Sequence, residues 1–330
     1  MSIDRIIIYL MVAFALLGAI DRIIGNKFGL GEQFEEGIMA IGSLALSMVG
    51  IIALAPVIAN LLKPVVVPLY GFLGADPAMF AGTILANDMG GASLAAELAS
   101  SEDAGLFGGL IIGAMMGATI VFTIPVALGI IQEADRKYLA TGVLAGVITI
   151  PIGAFVAGLV AGFPVMMIIR NLVPIVIIAV LIALGLWKFE KAIIKGFTLF
   201  GKFIIAVITL GLIAGIIEAL TGIVIIPGMN PISEGFEIVA DIAIVLAGAF
   251  PLVLVITKVF KKPLMKLGKL LGMNDVAAAG IVASLANSIP MFQMVKDMDA
   301  KGKIINFAFA VSAAFVFGDH LGFTAGFNST

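Results

Sequence analysis

Cysteine is absent from this chain of 330 residues, and histidine occurs once. Without cysteine the chain can form neither disulfides nor thiolate metal sites, and a single histidine cannot supply a zinc site alone. The sequence therefore predicts no metal centre and no cofactor.

Charge is scarce as well. Lys, Arg, Asp and Glu make up 12% of the residues and the formal net charge is -2, whereas soluble domains carry about 25% charged residues. A nucleic-acid partner would require a basic face. We therefore expect no nucleic-acid partner.

Hydrophobic residues make up 62% of the chain, with a mean hydropathy of +1.21. They fall in blocks long enough to cross a hydrocarbon core of about 30 Å. The first block starts near the N-terminus and no small-residue cleavage site follows it, so we interpret it as a retained span. The pattern predicts an all-α, multi-pass membrane protein. The eight blocks cover 3–24, 37–60, 106–131, 138–162, 164–187, 201–226, 238–260 and 303–327.

Two further apolar stretches, 64–98 and 262–297, are interrupted by Pro, Gly, Asn and Asp. Such breakers interrupt a helix before it can cross the bilayer, and broken backbone at membrane depth is tolerated only inside protein or along a cavity. We expect a short interfacial helix followed by a re-entrant hairpin in each stretch, near 78–98 and 276–297.

Lysine and arginine are distributed unevenly between the two sides that eight crossings define. Sixteen fall on one side, two (Arg5 and Lys63) on the other, and Arg170 lies within an apolar block. The positive-inside rule makes the first side cytoplasmic and places the N-terminus outside. The sixteen are Arg22, Lys27, Arg136, Lys137, Lys188, Lys191, Lys195, Lys202, Lys258, Lys261, Lys262, Lys266, Lys269, Lys296, Lys301 and Lys303.

The second half of the chain resembles the first at a shift near 198 residues. Lys63-Pro64 matches Lys262-Pro263, and the letters LAND at 85–88 match LANS at 285–288. Five crossings separate equivalent points, so residues 1–187 and 188–330 are predicted to form an inverted-topology repeat, as in many secondary transporters. The alternative is that short matches of Leu, Ala and Gly arise by chance.

Asp88 is the strongest candidate site residue. It lies in the motif LANDMGG of the first hairpin, where a carboxylate at membrane depth costs about 2.5–3.5 kcal/mol on insertion scales. The neighbouring Asn87 can orient a ligand, and Gly90-Gly91 lets backbone atoms approach one. The alternative is that Asp88 only caps the second half of the hairpin.

Four further residues complete the candidate set. Asn287 and Ser288 are the uncharged counterparts in the second hairpin, with helix capping as the alternative role. Asp319 and His320 lie inside the last apolar block, where a buried Asp-His pair could relay a proton or bind a polar ligand. The alternative is a structural pair that joins two helices.

The motifs LANDMGG, LANSIPMF, GDHLGF and GEQFEEG resemble those of the EutH family, the ethanolamine permeases of ethanolamine-utilisation systems. The resemblance runs from the first span to Thr330 and implies ethanolamine as the solute and the inner membrane as the location. Members of that family continue into a further hydrophobic span after GDHLGF, whereas this chain stops at 328–330. We therefore expect the second repeat to lack its last span here.

The sequence thus predicts a transporter or facilitator for a small amino alcohol. The alternative is an integral-membrane enzyme that uses Asp88, Asp319 and His320, although no familiar catalytic motif accompanies them. A membrane scaffold would be expected to carry a long soluble extension, which the sequence lacks. A coupling ion, H+ or Na+, and a homo-oligomer are both left open.

Overall fold

The computed structural model describes residues 3–328, and within that range every regular element is helical. Met1, Ser2, Ser329 and Thr330, which the two predicted repeats include at their ends, lie outside the described residues. Helices are the expected outcome because a helix satisfies its backbone polar groups internally, which lipid cannot do for it.

Five helical stretches in the described range are long and apolar enough to cross a membrane. They confirm the prediction of an all-α, multi-pass membrane protein. The number of crossings stays a prediction. The stretch Val165–Thr221 contains two predicted blocks, and the blocks 3–24 and 303–327 are not among the five. The five are Leu30–Phe72, Glu102–Ile130, Glu133–Val160, Val165–Thr221 and Ile232–Val259.

Helices α1 (Ile3–Ile23) and α2 (Leu30–Phe72) are joined by a turn that Asp21 organises. Its buried carboxylate accepts hydrogen bonds from the backbone N–H groups of Phe28, Leu30 and Gly31 at 2.9–3.0 Å. These are the unpaired donors that begin a helix. Helix α2 therefore starts earlier than the predicted block 37–60, and it continues without interruption into the predicted interfacial helix.

Each predicted hairpin is a pair of short helices. The first comprises α3 (Ala78–Ile84), a 3-10 turn (Asn87–Met89) and α4 (Gly91–Leu98).

A carboxylate holds the ends of this first hairpin together, because Asp76 accepts the N–H groups of Ala78 at 2.9 Å and Ser100 at 3.0 Å. The side chain of Asn171 in turn accepts the N–H of Asp76 at 2.7 Å.

A long, glycine-rich helical stretch follows the first hairpin. It consists of α5 (Glu102–Leu106), two π-helical segments (Phe107–Gly117 and Thr119–Thr123) and α6 (Ile124–Ile130). The glycines allow close contact with the hairpin: a Cβ on Gly117 would collide with the carbonyl of Leu85. π-Helical turns often mark functional sites.

Helix α7 (Arg136–Val160) follows a 3-10 turn (Glu133–Asp135) and leads to α8 (Val165–Thr221). Fifty-seven residues in a straight helix would span about 85 Å, nearly three times the hydrocarbon core. Instead the chain bends at Phe189, whose φ of -133° and ψ of 40° are not helical. The bend brings Ile193 to within 2.9 Å of the position a Cβ on Gly185 would occupy.

The second hairpin follows α9 (Ile232–Leu270) and comprises α10 (Asp275–Ala286), α11 (Ser288–Met294) and a 3-10 turn (Val295–Asp297). Asp299 closes it, because its carboxylate accepts the N–H of Asn274 at 2.8 Å and that of Gly302 at 3.3 Å. The hydrogen bond from the backbone N–H of Asn274 is the largest cause that holds the pKa of Asp299 below its usual value, and that from Gly302 acts in the same direction. Burial raises the pKa, but by less than the hydrogen bonds lower it.

The prediction of one continuous span at 303–327 was wrong. The chain forms α12 (Ala300–Ala313) and α13 (Asp319–Phe327), separated by a turn at residues 314–318 that breaks the helix. Phe315 takes a left-handed φ of 62°. The break is stabilised by the second hairpin, since the N–H of Phe315 donates to Ser284 O at 3.0 Å and that of Phe317 donates to Leu285 O at 2.9 Å.

Candidate functional site

The turn of the first hairpin presents Asp88. Leu85 and Ala86 leave α3 in extended conformations, and Gly90 starts α4 with a left-handed φ of 89°. A Cβ at Gly90 would also meet the side chain of Ile51 on α2. Glycine is therefore required here by both conformation and space.

Asn87 is fully buried, and neither atom of its side-chain amide has a hydrogen-bond partner among the described residues. Its backbone packs on the π-helical segment, where a Cβ on Gly113 would lie 3.0 Å from the Asn87 nitrogen. Unpaired buried amides are rare and call for a ligand, a water or a change of conformation.

The second hairpin differs in chemistry. Asn287 caps α11, because its side-chain oxygen accepts the N–H of Ile289 at 2.8 Å. Ser288 and the nearby Ser284 are fully buried, with hydroxyl groups that find no partner within the described range. Of the two predicted residues, Asn287 thus has a structural role in this geometry and Ser288 has an unused polar group.

Asp319 is the first residue of α13, directly after the break. The break requires Gly318 before it, because a Cβ there would collide with the carbonyl of Ala286. His320 is buried at 8% exposure and its ring lies against Phe315, with centroids 5.2 Å apart. The structure records no hydrogen bond between Asp319 and His320 in the described part of the chain.

Asp88 and Asp319 line the same cavity, which has a volume of about 580 Å³. Ligand pockets in proteins have volumes of about 300–1,000 Å³. Asn87, Asn287, Ser288 and His320 are not among its lining residues. The walls come from α2, the first hairpin, the π-helical stretch with α6, α8 after its bend, and α13: Ala40, Ser43, Leu44, Leu46, Ser47, Met89, Val121, Phe122, Pro125, Val126, Thr198, Gly201, Lys202, Ile205 and Ile208 complete the lining.

The sequence analysis did not identify the two serines of this cavity. The hydroxyl of Ser43 donates to the carbonyl of Ala40 at 2.9 Å, and that of Ser47 donates to Ser43 O at 3.0 Å. Because both protons are used within the helix, the hydroxyl oxygens can still accept hydrogen bonds from a solute. Their spacing of four residues on one face of an apolar helix was the available signal.

The cavity also has an aromatic wall and one basic residue. Phe122 packs edge-to-face on Phe315, with ring centroids 5.3 Å apart, and aromatic faces attract cations. Lys202, which the sequence predicts to lie on the cytoplasmic side at the start of the block 201–226, also lines the cavity. Within residues 3–328 no group of three or more His, Cys, Asp or Glu could hold a metal ion.

Helices that cross a membrane, discontinuous helices and two carboxylates facing one cavity define a multi-pass membrane protein of the transporter type. The chain belongs to the EutH family, described as ethanolamine utilisation protein EutH, whose family model matches residues 3–330.

Relatives with curated names agree with this family. The chain is 72% identical over 326 residues to "Probable ethanolamine permease EutH" of Listeria monocytogenes, covering 99% of this chain and 87% of the relative. It is 52% identical to the protein of the same name in Escherichia coli, covering 98% and 89% of the two chains. A Bacillus subtilis relative named "Uncharacterized protein YxeR" is also 52% identical, covering 99% and 88%. No solved structure matches the chain.

Proposed function

We propose that this protein carries ethanolamine across the bacterial inner membrane, and that the ammonium group binds in the cavity between Asp88 and Asp319. The observation that carries the proposal is that Asp88 and Asp319, which are far apart in the sequence, line one cavity of about 580 Å³. The family membership and the permease names of the relatives support the choice of solute.

Charge explains why carboxylates suit this solute. An ammonium ion loses its hydration when it leaves water, at a cost on the order of several kcal/mol per ion. A nearby opposite charge offsets this cost. Phe122 adds an aromatic face for the cation. Ser43 and Ser47 line the same cavity and offer oxygen acceptors, which suit the hydroxyl of an amino alcohol.

The protein route should matter most in acid medium. Free amine crosses bilayers unaided, but its fraction falls about tenfold for each pH unit below the amine pKa. A cell that grows on ethanolamine at low pH therefore depends on a carrier for the cation.

The enzyme alternative has less support. An acid-base pair needs its members within hydrogen-bond reach of each other or of the substrate, and His320 packs on Phe315 outside the cavity lining. The relatives are named as permeases rather than enzymes.

We also propose that the two halves form the inverted repeat suggested by the sequence. The supporting observation is that one carboxylate ties together the two ends of each hairpin, from the N-terminal end in the first and from the C-terminal end in the second: Asp76 accepts the N–H of Ser100, and Asp299 accepts the N–H of Asn274. At the shift of 198, Asp76 corresponds to Asn274 and Ser101 to Asp299. Ser101 and Asp299 then play matching roles, since both cap the next helix.

Uptake of labelled ethanolamine into proteoliposomes tests the proposed site. Asp88→Asn and Asp319→Asn keep size and remove charge, so each should abolish most uptake while the protein still folds. Asp241→Asn is the matched control, because Asp241 is an exposed carboxylate on α9 outside the cavity. Proton and sodium gradients imposed in parallel would identify a coupling ion by faster uptake.

Calorimetric titration of the purified variants separates binding from expression. Wild-type ethanolamine affinity in both Asp88→Asn and Asp319→Asn would contradict the proposed site. Chemical conversion of ethanolamine by the wild-type protein would contradict the assignment as a carrier.

A further inference from the structure

A second and larger cavity, of about 1,030 Å³, adjoins the first on the side that the charge asymmetry makes cytoplasmic. We call it the basic vestibule. It lies between the start of α7 and the part of α8 that follows the bend at Phe189, and it shares Pro125, Thr198 and Lys202 with the first cavity.

The basic vestibule has a charge opposite in sign to that of the chain. Five cations and two carboxylates line it, a difference of +3, whereas the whole chain has a formal net charge of -2. The cations are Arg136, Lys137, Lys191, Lys195 and Lys202, and the carboxylates are Glu133 and Glu190.

Three of these lysines form one stripe on α8. Lys191, Lys195 and Lys202 are separated by four and seven residues, which places them on the same face of a helix. Like charges four residues apart destabilise a helix. No carboxylate lies within ion-pair distance of any of the three in the part of the chain that the structure describes. An anion bound along the stripe would remove this repulsion.

The opposite wall is positive as well. Arg136 and Lys137 lie in the first turn of α7, at the positive end of its dipole, where cations are normally unfavourable. No side chain caps this end. Glu133 compensates poorly, since its carboxylate is 4.0 Å from Arg136 and 90% exposed.

From this geometry we propose that the basic vestibule binds a phosphate-bearing anion, supplied either by the headgroup of an anionic phospholipid or by a free phosphate ester. Lysine and arginine are the side chains that bind phosphate oxygens, by charge and by forked hydrogen bonds respectively. Basic pockets between helices on the cytoplasmic side of a membrane commonly take anionic headgroups. The proposal does not depend on ethanolamine as the solute.

The position of this site gives it a consequence for transport. Thr198 and Lys202 belong to both cavities, so a cation leaving the first cavity toward the cytoplasm would meet the positive potential of the basic vestibule. A bound anion lowers that potential and so eases the release of the cation.

The chain carries its own reporter for a binding test. Trp187 is the sole tryptophan, is 73% exposed, and lies four residues before Lys191. Purified protein in neutral detergent, without ethanolamine, would be titrated with sn-glycerol 3-phosphate, short-chain phosphatidylglycerol and short-chain phosphatidylcholine while Trp187 fluorescence is recorded. Thermal stabilisation by each probe gives an independent measure of affinity.

The test variants are Lys191→Gln with Lys195→Gln, neither of which lines the first cavity. The matched control is Lys261→Gln with Lys262→Gln, two exposed lysines on α9 that do not line the basic vestibule. The first pair should weaken phosphatidylglycerol binding by at least about tenfold, because it removes two charge-assisted contacts. The control pair should leave the affinity within about twofold, as for surface charge that is largely screened.

The probes separate the two sources of phosphate. Saturable binding of phosphatidylglycerol alone identifies a lipid headgroup, and comparable binding of sn-glycerol 3-phosphate identifies a free phosphate ester; either supports the proposal. Three results would overturn it: no saturable response to either anion by both measures, equal affinity for phosphatidylcholine, or equal losses in the two pairs of variants.

Discussion

The ion pair between Lys303 and Asp135 should be a main contributor to the stability of this fold. It joins the turn before α7 to α12, and so connects the two halves of the chain. The side chains are only 12% and 6% exposed. Asp135 does not cap α7 with its carboxylate, so this group depends on Lys303 for a partner.

Lys303→Met keeps the length of the side chain and removes its charge. Breaking a buried pair leaves an uncompensated charge and costs about 3–5 kcal/mol. At about 2 °C per kcal/mol, the scale for long chains, the apparent melting temperature should fall by about 6–10 °C. The loss of the contact between the Lys303 amine and the Tyr138 ring, 5.4 Å from its centroid, acts in the same direction.

The matched control is the pair between Arg22 and Glu35, whose side chains are 55% and 51% exposed. Exposed pairs contribute about 0–1 kcal/mol, so Arg22→Met should lower the melting temperature by less than about 2 °C. The assay is the fraction of protein that remains monodisperse after heating in detergent at neutral pH. Equal losses for Lys303→Met and Arg22→Met would refute the reasoning, as would failure of Asp135→Leu to restore stability in the Lys303→Met background.

Three further predictions concern the topology and the two hairpins. The chain has no cysteine, so a single introduced Cys can be labelled specifically. The predicted topology places Glu102→Cys within reach of an impermeant thiol reagent from outside and Lys191→Cys within reach only from inside; labelling of Lys191→Cys in intact cells would contradict the topology. Gly90→Ala should destabilise the first hairpin by at least about 1–2 kcal/mol, the cost of a left-handed alanine. The measurement is the melting temperature, which should fall; a melting temperature equal to that of the wild type would show that the turn relaxes. Hydrogen bonds to the carboxylate of Asp299 lower its pKa, so its contribution is present above the unfolded pKa of about 3.9 and is lost as pH falls through the lower native value. Asp299→Asn should therefore lower the melting temperature most near pH 6, and the difference from wild type should shrink as pH falls below about 3.9; a difference that stays constant from pH 6 into acid would contradict this.

The two hairpins could be predicted from the sequence because their interruptions are encoded locally. Gly90, Gly91 and Pro290 lie close to the turns, and Asn87 or Asn287 precedes each second helix. These residues disfavour a continuous helix by themselves. Apolar length likewise predicted the long helices, since a helix satisfies its own backbone polar groups in lipid.

The break at residues 314–318 could not be predicted in the same way. It contains neither proline nor asparagine, and its only glycine is Gly318 at the end. Its stability comes from hydrogen bonds to Ser284 and Leu285, about thirty positions earlier in the chain. A pattern read along the sequence cannot detect a tertiary interaction that overrides helix propensity.

Of the residues that line the cavity, only the two carboxylates were predicted from the sequence. Asp88 and Asp319 stand out because a carboxylate at membrane depth is costly wherever it faces. Ser43, Ser47 and Phe122 have no such cost in an apolar helix, so only their tertiary position on the wall of the cavity identifies them. His320 was predicted as a site residue because it is the sole histidine of the chain. That fact does not show where its side chain points, and its ring lies against Phe315.

The discontinuities also account for how the cavity can keep two carboxylates. Asp319 begins α13, and Asp88 lies in the turn that leads into α4. Both therefore lie close to the positive end of a helix dipole, which stabilises an ionised carboxylate. In transporters of anionic solutes the ends of half-helices point at the solute itself. Here a carboxylate lies at each end instead, which is the arrangement that the proposed binding of a cation requires.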